Sequence, residues 1–404
     1  VSVVLLVIAA MFWLLLLYYS VLCVAGLAFR SKAAPSPSLD EYPSVAILIA
    51  AYNEEKVLAQ TLDAMARLKY DGPLTVYVLN DNSSDATGDI ADYYASMFSH
   101  IRHVKVPPGT PKGKGRVLSY GLTLARENYI AVYDADNQPE PDALRLLIEA
   151  AVQTPGAVGA VGYVKTLNAE KNWLTRMIAL EFAVFQLLMQ CGRWHLFGLG
   201  TLTGTNLVVE REALVAAGGW DSSALAEDAD LSISLAALGG RLPIVPQSRS
   251  WEQEPQTFAV WLRQRTRWMQ GNLQLIGKMF EKPAWRERHV VLHAAHILSI
   301  YIVFAAVLFI SDVWFLLGVL GIVHTSYTVP LLLLWFETWL IYVIQLLSAE
   351  VADGMASPVN LAVSFVMYFT YSQLWMFLLV RAAVLEYKRR RMNVEPVWDK
   401  TVRF

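Results

Sequence analysis

Cysteine is almost missing from this chain: its 404 residues include only two, Cys23 and Cys191. They lie far apart in apolar stretches, so no disulfide framework or cysteine-based metal site is available, as suits a cytoplasmic catalytic domain. Charge is scarce as well. Only 17% of the residues are Asp, Glu, Lys or Arg and the formal net charge is −2, which gives nucleic acid no basic face to bind. Apolar residues take up the difference, with 55% hydrophobic and 12% aromatic. That is too apolar for one ordinary soluble fold, while the middle of the chain is too charged to be wholly membrane-buried.

Residues 3–29 form an almost uncharged run, long enough to cross a bilayer with some tilt. Arg30 and Lys32 follow at once and put that end in the cytoplasm. The run is longer than the apolar core of a cleaved signal peptide, and the first residue is not Met. Residues 1–32 are thus expected to be a transmembrane helix, and 33–43, with Pro35, Pro37 and Pro43, a linker. From 44 to 256 short apolar runs alternate with amphipathic stretches. Runs at 45–50, 74–79 and 130–133 read as strands, and 54–68 and 87–98 as helices, a pattern that implies a parallel, doubly wound α/β sheet. The stretches 173–190 and 258–279 are apolar but carry charge, and are expected to lie as amphipathic helices against the membrane or the transmembrane bundle, the second within an interface segment at 257–288. From 289 to 386 the chain is nearly uncharged again. Breaks at Ser311-Asp312 and 324–330 divide it into four crossings, at 290–310, 313–327, 329–348 and 359–385. The loops near Asp312 and Glu350/Asp353 lack Lys and Arg, as outside loops should, and Lys388 to Arg391 returns a tail at 387–404 to the cytosol. Three crossings would leave that basic cluster outside. The expected protein is multi-pass in the plasma membrane, with a cytoplasmic catalytic domain.

The chemistry gathers at strand ends. The run Ile130-Ala131-Val132-Tyr133 stops at Asp134-Ala135-Asp136, two carboxylates that can hold one hard divalent cation with substrate phosphates completing its shell. A solvated acidic turn capping the next helix is the plainer reading. The first strand ends in Ala51-Tyr52-Asn53-Glu54 and the second in Asn80-Asp81. Together these ends make a cleft suited to a base and ribose above a metal, although any one of them could be a helix cap. Lys112-Gly113-Lys114-Gly115-Arg116 is either a solvated basic loop or a neutralising arm for a diphosphate. Glu227-Asp228-Ala229-Asp230 alone would be an acidic helix start. In Gln264-Arg265-Thr266-Arg267-Trp268, the first, fourth and fifth residues come together on a helix. A guanidinium suits a diphosphate and an indole face suits a sugar ring, whereas a basic helix at the membrane surface is the alternative. His289, His293 and His296 share a helix face at metal-ligand spacing, but no carboxylate accompanies them, and interfacial packing is the expected role.

The ordered set of an Asn-Glu, a lone Asp, an Asp-x-Asp, a Glu-Asp and a Gln-x-x-Arg-Trp, flanked by apolar helices, resembles the processive family 2 glycosyltransferases. These are the cellulose, chitin, hyaluronan and poly-N-acetylglucosamine synthases. The resemblance covers most of the chain from Ser44 onward and implies a GT-A (Rossmann-like) α/β cytosolic domain joined to an α-helical transmembrane bundle. It also implies inverting transfer from a nucleotide diphosphate sugar, UDP-glucose or UDP-N-acetylglucosamine, to a growing polysaccharide. Carried over residue by residue, Tyr52 and Glu54, with Asn53 beside them, would contact the nucleobase, and Asp81 the uridine. Asp134 would lie near the donor sugar and diphosphate, Lys114 would assist the phosphates, and Asp136 would ligate Mg²⁺ or Mn²⁺. Asp228, next to Glu227, matches the general base. Gln264, Arg267 and Trp268, with Arg265 among them, would bind the diphosphate and the terminal acceptor sugar. The family's usual Thr-Glu-Asp is Ala226-Glu227-Asp228 here, and no further domain is found after the last helix. In the tail, Trp398, Lys400, Thr401 and Arg403 resemble a lid over the nucleotide, against a disordered basic end. Trp261, Arg263, Glu337, Tyr342 and Gln345 are candidates for lining a product passage. Accessory secretion subunits or further copies of the chain are partners the resemblance leaves open. Two rivals stand beside this reading: transfer of one sugar to a lipid acceptor, and a non-catalytic nucleotide-sugar sensor or transporter.

Overall fold

The computed structural model describes residues 2–32, 35–286, 288–322, 328–392 and 401. A long helix α1 (Ser2–Lys32) precedes an α/β domain. The domain's strands are β1 (Val45–Ala51), β2 (Leu74–Asn80), β3 (Ile101–Lys105), β4 (Tyr129–Val132), β5 (Gln138–Pro139), β6 (Gly159–Thr166), β7 (Leu207–Glu210) and β8 (Ile244–Glu252). Between them run α2 (Leu58–Ala66), α3 (Thr87–Met97), α4 (Lys114–Leu124), α5 (Ala143–Gln153), α6 (Trp173–Phe182), α7 (Cys191–Phe197), α8 (Arg211–Ala216) and α9 (Glu227–Ala237). The π-helical turn Ala183–Gln190 joins α6 to α7. Then come α10 (Phe258–Glu281), α11 (Arg288–Leu298), α12 (Phe304–Val319), α13 (Thr328–Asp353), α14 (Pro358–Met367) and α15 (Tyr371–Met392).

The strands form one sheet in the order β3-β2-β1-β4-β7-β6-β8-β5. Alternate residues of β1 face opposite ways, as the strand repeat requires. Val45, Ile47 and Ile49 join the core beneath α2 and α5, and Ala46 and Leu48 join Val117, Leu118 and Leu231 on the other side. The sheet is mixed rather than wholly parallel. β1, β2, β3 and β4 are parallel, but β7 runs antiparallel to both β4 and β6, while β8 is parallel to β6. It follows that β6 and β8 point the same way as β1 and β4. The carboxyl end of β8 therefore comes to the edge where β1, β2 and β4 end, and reversal of β7 brings the loop preceding it to that edge too.

Glycine makes the contact between α1 and the domain. An added Cβ at Gly26 would stand 2.1 Å from the Leu188 carbonyl oxygen, and one at Gly192 would stand 1.9 Å from that of Leu22. The helices meet backbone to backbone, and Cys23 packs with Ala183, Leu187 and Leu188. Both cysteines are free and buried. Gly192→Val should cost about 1–3 kcal/mol by overpacking, seen as a lower unfolding midpoint of the detergent-solubilised protein; an unchanged midpoint would contradict the close crossing.

The segment at 173–190, expected to lie against the membrane or the transmembrane bundle, is the first part of a helical stretch that packs against the later helices α14 and α15. Its charges are used inside the protein. Arg176 donates to Asn360 Oδ1 at 2.9 Å, and Glu181 Oε2 accepts from Arg265 at 2.9 Å and from the Tyr371 hydroxyl at 2.5 Å. Gln186, buried in the π turn, bonds both backbone groups of Val164 in β6. The expected break at Ser311-Asp312 is also absent, because α12 runs straight through it. Asp312 accepts from Trp335 Nε1 at 3.1 Å, so its carboxylate is satisfied without leaving the helix. Among the described residues two helices are long and apolar enough to cross a membrane, Ala10–Lys32 and Trp173–Phe197. Pro358–Met367 and Tyr371–Met392, bent by 45°, make a third if they form one span. That is fewer than the N-terminal crossing and four more expected from the sequence, and residues 323–327, where the second of those four would end, lie outside the described residues.

Candidate active site

One cavity of about 910 Å³ opens along the sheet edge where the strand ends collect. At one end are Tyr52, Glu54 and Asp81, from the turns after β1 and β2. Asn53 is drawn into the scaffold instead. Its backbone adopts a left-handed conformation (φ 55°), and its Oδ1 accepts from the Ser84 N–H at 2.8 Å, tying the two turns together. Asp81 is paired with Arg116 of α4, which also donates to the Pro107 carbonyl at 2.9 Å.

Acidic groups meet on the cavity wall just past β4. Carboxylate oxygens of Asp134, Asp136 and Glu252 all lie within 4.8 Å of one another. The reach of β8 to this edge explains why Glu252 belongs with two aspartates more than a hundred residues earlier. Asn137, fully buried, donates to Glu252 Oε2 at 2.9 Å and accepts from the hydroxyls of Thr205 and Ser250. Three carboxylates are a hard oxygen donor set, which fits Mg²⁺ or Mn²⁺ and would be poor for a thiophilic ion.

Lys114, at the start of α4, is the cation of this cluster. Its Nζ donates to Asp134 Oδ1 at 2.5 Å and to the Gly204 carbonyl at 2.7 Å. Burial works against its charge, but Asp134, Glu227 and Asp228 outweigh that and hold the ammonium above its ordinary pKa. Gly204 (φ 82°) leaves room where they converge: a Cβ there would stand 3.5 Å from Asp228 Oδ2 and 3.8 Å from Lys114 Nζ. Asp228 begins α9, and its Oδ1 accepts from the Ala229 N–H at 2.8 Å. Helix-start amides favour its ionised form. Burial first, and then the neighbouring Glu227 carboxylate, push the other way and raise its pKa to about 7.

α10 closes the cavity above the acids. Gln264, Arg267 and Trp268 line it, but Arg265 does not. Arg265 is fully buried, bonded to Glu181 and to Gln264 Oε1 at 2.8 Å, and lies 4.0 Å over the Trp268 ring. It therefore positions the indole rather than facing the cavity. Lys278, lower on α10, bonds Asp221 at 2.6 Å and Asp230 at 2.5 Å and so fixes α9 against α10. A Cβ at Gly271 would fall 2.6 Å from that of Ala226, a contact that explains a small residue before the Glu-Asp pair.

From Trp268 the cavity continues between helices, past Tyr342, Gln345, Tyr368, Tyr371 and Trp375. Trp261, Arg263 and Glu337 are not on its wall; Trp261 is fully buried and donates to the Tyr371 hydroxyl at 3.0 Å. Trp398, Lys400 and Arg403 lie outside the described residues, but Thr401 among them lines the cavity. The sequence reading missed Glu252, Asn137 and the loop from Thr201 to Asn206. The signal for the first was an acid at a strand end, the rule that picked out Asp81. β8 escaped notice because its inward positions include Ser248 and Ser250 instead of an apolar run.

Residues 43–271 match the family described as "Glycosyltransferase like family 2". The chain is 34% identical over 407 residues to the probable glycosyltransferase YdaM of Bacillus subtilis, covering 98% of this chain and 96% of that one. Identity is 31% over 234 residues to the beta-monoglucosyldiacylglycerol synthase of Trichormus variabilis, 57% of this chain and about half (49%) of that protein. It is 26% over 279 residues to the poly-beta-1,6-N-acetyl-D-glucosamine synthase of Staphylococcus aureus, 69% of this chain and 66% of that one. The fold resembles that of the mannosyltransferase PcManGT from Pyrobaculum calidifontis, solved with GDP-Man and Mn²⁺ (TM-score 0.53, 18% identity, covering 94% and 99% of the two chains). With its GT-A-like α/β domain and a match running almost end to end, the chain belongs to glycosyltransferase family 2.

Proposed function

We propose that this enzyme transfers hexose, from UDP-glucose or UDP-N-acetylglucosamine, with inversion onto the end of a β-linked polysaccharide held in the membrane. The observation that carries the reading is the single cavity running from Tyr52 and Asp81, past the acids and Trp268, to the aromatic residues between the helices. Tyr52, Glu54 and Asp81 hold base and ribose, with Arg116 fixing the Asp81 carboxylate. Asp134, Asp136 and Glu252 hold Mg²⁺ or Mn²⁺, which when bound offsets the charge of the diphosphate leaving group. Lys114, Gln264 and Arg267 direct their N–H groups to that diphosphate, and Trp268, held in place by Arg265, presents its ring to the terminal acceptor sugar.

Asp228 takes the proton from the acceptor hydroxyl as the oxygen attacks the anomeric carbon. The bond to the diphosphate breaks on the opposite face, so an α-linked donor yields a β-linked product. Lys114 bonds Asp134 and the Gly204 carbonyl close beside Asp228. Arg30 and Lys32 in the last turn of α1, and the basic end of α15, support a cytoplasmic catalytic domain under the positive-inside rule. In a multi-pass plasma-membrane arrangement, product would leave through the helical part of the cavity.

Similarity to a poly-N-acetylglucosamine synthase supports the polymer reading. The likeness to beta-monoglucosyldiacylglycerol synthases favours a second one, transfer of a single sugar to a lipid. Purified enzyme with labelled donor separates them by product length. A ladder of many sugars is expected; a single-sugar glycolipid as sole product would overturn the polymer reading.

A further inference from the structure

Arg193 is buried in α7, 2% exposed, yet it lies on the cavity wall away from the acids. Its guanidinium donates to the Leu199 carbonyl at 3.0 Å, to Gln190 Oε1 at 3.2 Å and to the Thr201 hydroxyl, all of them neutral acceptors. Among the described residues no carboxylate pairs with it. A buried guanidinium without an anion is costly, so its counter-charge must come from elsewhere.

Two histidines stand near Arg193, one on the cavity wall and one behind Thr201. His296, 5% exposed, lines the cavity beside Arg193. Its Nδ1 is 2.7 Å from the Tyr18 hydroxyl, while its buried Nε2 has no hydrogen-bond partner among the described residues. In the tautomer in which Tyr18 donates to Nδ1, the proton sits on Nε2, which is then a donor without an acceptor. His293, 1% exposed, stands 3.1 Å from the Thr201 hydroxyl through Nε2, and its Nδ1 is likewise unpartnered. Leu16 and Tyr19 of α1 and Ala305 of α12 supply the nearby wall.

We propose that Arg193, His296 and Thr201 form a binding site for a phosphate oxyanion, separate from the donor diphosphate held around Lys114 and Arg267. With Nε and Nη2 committed to Leu199, Gln190 and Thr201, a tetrahedral oxyanion can accept from the N–H groups of Nη1 and still offer an oxygen to the imidazole N–H. The phosphate arrives either as a lipid headgroup, its chains against Leu16 and Ala305, or as a free ion. Thr201 opens the loop whose Gly204 carbonyl bonds Lys114, so occupancy also braces one side of the acidic centre. The proposal does not depend on which acceptor the enzyme glycosylates.

The test uses the full chain, delipidated in a neutral, phosphate-free detergent. Binding of phosphatidylglycerol, of diacylglycerol with the same chains and of inorganic phosphate is followed by native mass spectrometry and by the unfolding midpoint. Retention of phosphatidylglycerol but not diacylglycerol is expected, with Arg193→Met weakening it by ~30-fold or more, the loss typical of truncating a buried charged partner. Binding of inorganic phosphate at equal strength would keep the site and assign it to the free ion. If Arg193→Met does not fold, His296→Phe, which removes both ring nitrogens and leaves the guanidinium, decides the matter. Equal retention of diacylglycerol, no binding of either phosphate probe, or unaltered binding in His296→Phe and any folded Arg193→Met would overturn the proposal.

Discussion

Asp228→Asn should lower turnover by roughly 10²–10⁴-fold, the range that a positioned general base supplies, and leave donor binding nearly intact. The substitution keeps size and hydrogen-bonding shape, so the Ala229 amide still has an acceptor at the start of α9. What it removes is the capacity to take a proton. pH gives a second readout with a definite sign. Burial and Glu227 raise the Asp228 carboxyl to about 7, and only the deprotonated form is a base. Activity should therefore be low in acid and climb to a plateau as pH rises through about 7. UDP release and fluorescence-detected donor binding, measured on the same preparation, check both halves. Undiminished turnover in the variant would remove Asp228 from the chemistry.

Asp136→Ala should abolish metal-dependent donor turnover, and Glu252→Gln should weaken it in a graded way. The carboxylates of Asp134, Asp136 and Glu252 converge within 4.8 Å, and a hard cation has no other comparable oxygen set among the described residues. Loss of Asp136 removes one of three charged ligands and leaves Asp134, already bonded to Lys114, and Glu252. Glu252→Gln keeps an oxygen but drops a charge, so half-maximal activity should need about 10–100-fold more Mg²⁺ or Mn²⁺, a shift of the size seen when metal-site support is lost. Metal titrations of UDP release after chelation measure this. Full activity of Asp136→Ala without added metal would overturn the assignment, and an unshifted titration for Glu252→Gln would remove Glu252 from the ligand set.

The strands that sequence reveals most clearly are those buried on both faces. β1 and β2 are apolar almost throughout, so their polar endings at Asn53-Glu54 and Asn80-Asp81 stand out at once. β8 offers no such contrast, because its buried serines are satisfied by hydrogen bonds to Ala143 O, Asn206 and Asn137. The antiparallel course of β7 was illegible for another reason. Strand direction depends on which neighbour accepts a four-residue element, and nothing local to Leu207–Glu210 encodes that choice. The partners of Arg176 and Glu181 were illegible, because Asn360, Arg265 and Tyr371 lie far away in sequence. Asp312 misled, because its partner Trp335 lies in a different helix. The orphan nitrogens of His293 and His296 are visible only once α11 packs beside Arg193.

The backbone crossing of α1 at Gly26 and Gly192 has a practical consequence. In a membrane enzyme whose catalytic unit hangs from a tether, cutting the tether yields a water-soluble fragment. Here α1 is part of the masonry. Removing residues 1–32 would uncover Cys23's neighbours Ala183, Leu187 and Leu188 and would breach the cavity where Leu16 and Tyr19 now close it. The same crossing offers a lever for intervention, since a molecule that wedges the two glycine contacts apart would open the cavity from the α1 side without touching a single acidic residue.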